Sequence, residues 1–254
     1  MISSSTRGTQ IFQISALILS MTAVLIYEWN LTALLVIVLG YFMYGCLGIV
    51  VMYHRCLTHG SYQTHPILVK LLSVLGCLAG TGSPLAWIAI HINHHLNSDK
   101  PNDPHSPHHH GLTMFLLNYH SGVSPKTKWR MRNIISDRFQ QFLHRYYFAI
   151  VIVYSLILLV IGGFWLMVFL HLLPATITAI MSNIVNYIGH KPHWVGGYRR
   201  YNLQDQSSNN WLFAIPSWGE TWHNNHHRYP KKFSCGHRWW EIDISAYIIK
   251  LIKI

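Results

Sequence analysis

Gly219-Glu220-Thr221-Trp222-His223-Asn224-Asn225-His226-His227-Arg228 is the stretch on which the reading of this chain turns. On a helix, positions i, i+3 and i+4 share one face, so His223, His226 and His227 present three imidazoles in one direction. Neutral imidazole is the commonest side-chain metal ligand. The same spacing recurs far upstream at His91, His94 and His95. One histidine alone is more often a packed or surface residue than a ligand. Two HxxHH triplets in one chain read as a metal site.

Working outward, His54 closes an apolar run and His59 follows in His54-Arg55-Cys56-Leu57-Thr58-His59. Five residues subtend about 140° on a regular helix, so the helix must end or distort there if both serve one centre. Asn186 and His190 stand one turn apart at the end of another apolar run. The set is then nine histidines and one asparagine. A structural zinc ion takes about four ligands. Nine are too many for one ion and suit two, each with four or five nitrogens and room for water. Imidazole suits iron, copper, zinc and nickel, so the ligands alone do not name the metal. Two redox-active irons near a bilayer would suit oxygen chemistry on a lipid chain.

The rest of the composition points to a membrane. Of 254 residues 51% are apolar and only 11% are charged. Apolar runs at about 10–27, 31–53, 146–161 and 164–188 each approach the roughly 20 residues that a helical span needs. They pair across Glu28-Trp29-Asn30 and Gly162-Gly163, which predicts two hairpins, with no small-residue cleavage site after the first run. Gly40, Gly45 and Gly48 in the second run suit close helix packing. Ile67 to Gly80 is short for a span, carries Lys70 and reads as an interfacial helix. A weakly amphipathic helix is expected from about Ser245. The expectation is one all-α integral-membrane domain over 1–254, multi-pass, with four transmembrane helices. Segments 54–145 and 189–254 would form a helical cap holding the dimetal site.

The basic residues orient it. Arg7 lies in the polar N-terminal tail, nine lysines and arginines lie in 54–145, nine lie in 190–254, and the two hairpin turns have none. Two hairpins put all three charged segments on one side, which the positive-inside rule makes cytoplasmic. The net charge of +11 is then mainly a topology signal, with a secondary pull on anionic lipid or an acidic partner. Nucleic acid is not an expected partner. Cys46, Cys56, Cys77 and Cys235 form no CxxC pair and read as inert thiols rather than a disulfide framework. His171, in mid-span beside Pro174, reads as a packing or helix-bonding residue. His105, His108, His109 and His110 reflect the composition of a Pro-rich loop. His65, His120, His144, His193 and His237 have no partner at ligand spacing.

On these residues the chain resembles the membrane-bound fatty-acid desaturases, specifically the acyl-CoA (delta-9) type. The three boxes are His54-Arg55-Cys56-Leu57-Thr58-His59, His91-Ile92-Asn93-His94-His95 and His223-Asn224-Asn225-His226-His227. HRxxxH in the first box separates this type from the omega type. Asn186-x-x-x-His190 resembles the additional ligand pair, whose asparagine reaches one metal through water. Asn210-Trp211, Gly219-Glu220, Tyr229-Pro230 and Trp240-Glu241-Ile242-Asp243 also match, and the resemblance runs from about residue 35 to the C-terminus. It implies four helices under a cytoplasmic cap, two nonhaem irons with no carboxylate ligand, and a bent tunnel for the acyl chain. It implies dioxygen and two electrons from an external donor, a small b-type cytochrome or a ferredoxin, since no haem-binding HPGG motif is present. The product would be a cis double bond, at delta-9.

Departures from the pattern lie at the substrate end. Trp87-Ile88-Ala89-Ile90 keeps only the tryptophan of the family's Trp-Ala-Arg-Asp run, Ile92 replaces an arginine, and Ser182-Asn183 replaces Thr-Trp. Trp87 and Ser182 are the expected substrate-binding positions, and acyl-CoA, acyl-lipid and acyl carrier protein all remain open as carriers. A hydroxylase or ketolase on the same scaffold shares the metal set. A metal transporter would put its ligands deep in the spans, where only His171 lies, and a bis-histidine haem protein would need a facing partner for it.

Overall fold

A computed structural model describes residues 6–115 and 123–254, and it is mostly helical. Among the described residues three helices are long and apolar enough to cross a membrane: Arg7–Ile26, Leu31–Thr58 and Tyr147–Gly189. The first, α1 (Thr6–Ile26), starts a few residues before the expected Gln10. The second starts as α2 (Leu31–Tyr41), whose N-cap Asn30 accepts the Ala33 N–H at 2.9 Å. It continues without a break as a π-helix, π1 (Phe42–Thr58), and so outlasts the expected end at Tyr53.

The third run takes in both later apolar segments. It consists of α9 (Tyr147–Met167), a π turn π2 (Val168–Leu172) and α10 (Leu173–Gly189). Within it Gly162 and Gly163 leave helical dihedrals, Gly163 at φ +65°. That left-handed backbone is cheap for glycine. Two helical runs therefore meet at the turn that the sequence places there.

These helices bury little of their own surface. Only 22% of the most apolar window of α1 and 17% of that of the third run is buried, against 50% for Leu31–Thr58. Leu34, Leu35, Val38, Ile152 and Val160 point outward, a belt suited to hydrocarbon and too large for an ordinary soluble surface. Both α1 and α2 pack on π2 and α10. Glycines set the closest approaches: a Cβ on Gly40 would stand 2.5 Å from the Leu170 carbonyl, and one on Gly48 2.5 Å from the Gly76 nitrogen. His171 has the packing role expected of it, Nε2 donating to the Leu78 carbonyl at 3.0 Å and Nδ1 facing Ser155 Oγ at 2.9 Å.

The polar segments fold around the end of π1. They contain α3 (Pro66–Leu78), α4 (Pro84–Asn97), α5 (Pro107–His110), α6 (Pro125–Arg130), α7 (Arg132–Ser136), α8 (Arg138–Arg145), α11 (His223–Arg228) and α12 (Ile244–Ile252). Proline in the first turn of α3, α4, α5 and α6 starts each helix where its missing N–H costs nothing. Two short strands, β1 (Gly197–Tyr198) and β2 (Asn209–Asn210), pair antiparallel with Gly197 opposite Asn210. The main core joins Val51, Met52 and Tyr53 of π1 to Leu72 of α3 and Ile249 of α12. All four cysteines are free. His120 lies outside the described residues.

Candidate metal centre

Nine histidines converge in two groups. His54, His59, His91, His95 and His226 form one; His94, His190, His223 and His227 form the other. Within each group the ligand nitrogens all lie within 4.8 Å of one another. The sequence reading named all nine and left their division between two centres open. Local structure explains the division. On α4, His91 and His95 are one turn apart and face the first group, while His94 turns to the second. On α11, His226 goes to the first group, and His223 and His227 to the second.

The expected distortion between His54 and His59 is the π-helix. His59 N–H donates to the His54 carbonyl at 3.2 Å, an i→i+5 bond, so five residues close one turn and both side chains reach one group.

The nitrogen spacings suit metal ions. Nε2 of His95 lies 3.0 Å from Nε2 of both His91 and His226; His54–His226 and His59–His91 are 3.1 Å apart, and His190–His223 3.0 Å. Lone pairs aimed at one point repel unless a cation sits among them. At metal–nitrogen bonds of about 2.1 Å, ligands at right angles stand about 3.0 Å apart. In the second group Nε2 of His94 and of His227 is buried with no hydrogen-bond partner, a cost that a coordinated ion would remove. These residues can therefore hold two metal ions.

Protonation states agree. Burial, then neighbouring imidazoles, hold His59, His91, His95, His223 and His226 well below the ordinary histidine value. Burial also brings His227 down to about 4. Neutral imidazole is the form that ligates. His94 is the exception: burial lowers it, but Asp103, with Asp99 and Asp205, raises it above the ordinary value.

Sequence reasoning missed the carboxylates behind the histidines. Asp103 Oδ1 accepts from His94 Nδ1 at 2.8 Å, and Asp99 Oδ2 from His190 Nδ1 at 2.9 Å. Asp205 Oδ2 accepts from His227 Nδ1 at 2.9 Å, and Glu220 lies against His54 Nδ1. Each fixes the tautomer that turns Nε2 inward. Burial opposes the Glu220 charge, but His54 and Arg55 bring it down to about 2.

Arg55, itself buried, donates to Glu220 Oε1 at 2.7 Å and to Asp243 Oδ2 at 2.9 Å, which gives the arginine of HRxxxH its place. Gly219, at φ +99°, leaves no room for a Cβ beside Asp243. The chain has only eight acidic residues, and half of them stand behind these histidines.

The residues between the box-three histidines are structural. Asn225 donates to the Cys235 carbonyl and to Glu241, each at 2.9 Å, and Asn224 accepts the N–H groups of Arg200 and Tyr201. The Pro-rich loop does more than its composition implied. His108 Nε2 donates to the His190 carbonyl at 2.9 Å, and His110 Nε2 to that of Asp103 at 2.9 Å. His105 lines the adjoining cavity. His65 caps α3 through Nδ1, and His144 and His237 pair with Ser83 and Tyr201.

A cavity of about 1140 Å³, open mouth included, adjoins the centre. His54, His91, His223 and Glu220 line it on the side of the centre; Gly45 and Ile49 of π1, Ala86 of α4, and Thr178 and Ala179 of α10 line it as well. Trp87 and Ser182, the expected substrate positions, both line it, as does Asn186. Trp87 also stacks on His91 at 5.1 Å between ring centroids.

Comparison with known proteins agrees with this geometry. The fatty acid desaturase family model matches residues 28–250. An sn-1 stearoyl-lipid 9-desaturase of Anabaena variabilis is 35% identical over 90% of this chain and 82% of its own. Delta-9 acyl-lipid desaturase 2 of Arabidopsis thaliana is 32% identical over 93% and 76%. Icosanoyl-CoA 5-desaturase of Limnanthes douglasii is 31% identical over 89% and 64%. With two-centre histidine geometry, an apolar cavity and a match along nearly the whole chain, the protein belongs to the fatty acid desaturase family and is an oxidoreductase.

Proposed function

We propose that this desaturase introduces a cis double bond at delta-9 of a saturated chain carried on a membrane lipid, using two nonhaem irons. The observation that carries the reading is the pair of histidine groups beside an apolar cavity. His54, His59, His91, His95 and His226 would hold one iron. His94, His190, His223 and His227 would hold the other, with Asn186 reaching it through water. When bound, the irons supply the oxidising power that dioxygen and two electrons make available. The chain's own part is positioning and exclusion of water. Gly45, Ile49 and Ala86 line the space that would hold the methylenes of the chain, and Trp87 stacks on the His91 ring.

The acyl-lipid carrier is favoured over CoA on two grounds. Several relatives are named for acyl-lipid substrates. In addition, Ala89 and Ile90 stand where the acyl-CoA type has its charged pair, and Ile90 faces the cavity. We read the turn at Gly162-Gly163 as dividing the third long run into two spans. That gives four spans in one domain and puts the metal site in a cytoplasmic cap, on the side of the lysines and arginines. An external cytochrome or ferredoxin would supply electrons. Lys126, Lys128, Arg130, Arg132 and Arg138 on α6–α8 are exposed and suit an acidic docking partner.

The test is expression in a host without its own desaturase, supplied with both kinds of donor, with lipid classes separated before fatty-acid analysis by gas chromatography and mass spectrometry. A delta-9 monounsaturated acid in intact lipids, absent with His226→Ala, is expected. A hydroxy or keto product would transfer the protein to the alternative oxygenase reading, and product confined to the acyl-CoA pool would overturn the carrier.

A further inference from the structure

We infer that the two centres are unequal by construction: the four-histidine group binds its ion more tightly and fills first, because Asp99, Asp103 and Asp205 stand behind it. This rests on the proposal that the histidine groups bind metal. Three of its four histidines have a carboxylate on Nδ1 at 2.8–2.9 Å. In the five-histidine group only His54 does, and Glu220 is shared with the Arg55 guanidinium at 2.7 Å. Among the described residues, no carboxylate lies at ion-pair distance from His59, His91, His95 or His226.

The aspartates are themselves held. Asp99 Oδ2 accepts the Gln206 N–H at 2.6 Å, Asp103 the N–H groups of Asp99 and His105, and Asp205 that of Ser207 at 2.9 Å. They are therefore positioning residues in place before any ion arrives. Each would orient a ring, raise its basicity and neutralise part of the ion's charge. Losing one such partner typically costs about 10–100-fold in metal affinity. The five-histidine group has one such partner, and Arg55 offsets its charge. Its advantage is a fifth neutral imidazole, which replaces only a water. Two additional carboxylates outweigh that, and the order of filling follows.

The full-length protein, purified in detergent and stripped with a chelator, is given cobalt(II) stepwise. Bound metal is counted by equilibrium dialysis, and ligand-field absorption is followed in parallel. Wild type should bind two ions in two resolved steps. Asp103→Asn should weaken the first step about 10–100-fold, and Asp103→Glu should recover part of the loss. Glu220→Gln should leave the first step in place and weaken the second. Asp205→Asn gives the same reading as Asp103→Asn if that variant does not fold. Loss of the first step in Glu220→Gln, or simultaneous filling in wild type, would overturn the inference. No bound cobalt in folded wild type would instead sink the metal-centre reading beneath it.

Discussion

His59 donates its backbone N–H to the carbonyl of His54 at 3.2 Å, five residues back. That bond makes HRxxxH usable: an α-helical turn would put the rings about 140° apart. The π turn also leaves Arg55 between them, aimed at Glu220 and Asp243. Adding one residue between the two histidines should carry His59 about a further 100° round the helix and out of its group. We expect insertion of an alanine after Leu57 to abolish desaturation and to weaken retention of one of the two ions, measured by elemental analysis of monodisperse protein. Unchanged activity and metal content in the insertion would show that His59 does not ligate.

The same turn marks how far the sequence could be read. The nine histidines were legible because ligand spacing follows directly from helical periodicity, and the apolar runs because a bilayer dictates their length. The π-helix from Phe42 to Thr58 was foreseen only as a distortion, since no local residue pattern encodes i→i+5 bonding over 17 residues. Asp99, Asp103 and Asp205 were not legible: they follow no fixed spacing to His190, His94 and His227, and only the folded loops bring Asp205 to His227. Arg55 could be recognised as part of a motif, but its partners Glu220 and Asp243 lie more than 160 residues away.

Close packing at Gly48 gives a second test. A Cβ there would meet the backbone of Leu75 and Gly76 at 2.5–2.8 Å, and backbone cannot swing aside as a side chain can. Gly48→Ala should push α3 away from π1 and cost about 1–3 kcal/mol of stability. The expected readout is a lower thermal midpoint in detergent, with reduced metal retention because π1 carries His54. An unchanged midpoint would mean that the two helices can separate freely.

Acid should destabilise the metal-free protein earlier than carboxylate chemistry alone would. His59, His91, His95, His223, His226 and His227 are all held below the ordinary 6.5, mainly by burial. Between those lowered values and 6.5 the unfolded chain binds more protons than the folded one, so stability rises with pH there and falls on acidification. His94 runs the other way: its pairing with Asp103 contributes below 6.5 and is lost as pH rises through its raised folded value. Six groups outweigh one. The thermal midpoint of chelator-stripped protein should fall as pH drops from about 7.5 to about 5, and a flat profile would contradict the buried neutral state of these rings.

The cavity wall should set chain selection. Ala86 is 5% exposed and lies on α4, five residues before His91, where it lines the cavity with Thr178 and Ala179. At about 1.5 Å per residue it stands about 7.5 Å along the helix from that ligand. Thr81 and Gly82 line the same cavity just ahead of α4. Ala86→Phe adds a ring to the cavity wall at a position that is not one of the nine histidines, so metal content should stay at the wild-type value. Methylenes that the ring displaces have nowhere to go, and a misfit of one methylene in an apolar pocket costs about 10–200-fold in discrimination. Fatty-acid profiles from cells fed acids of graded length should therefore show long-chain products falling far more than short-chain ones. An unchanged profile would mean that the acyl chain lies along another wall, and a uniform loss at every length, with metal intact, that Ala86 faces methylenes that all chains share.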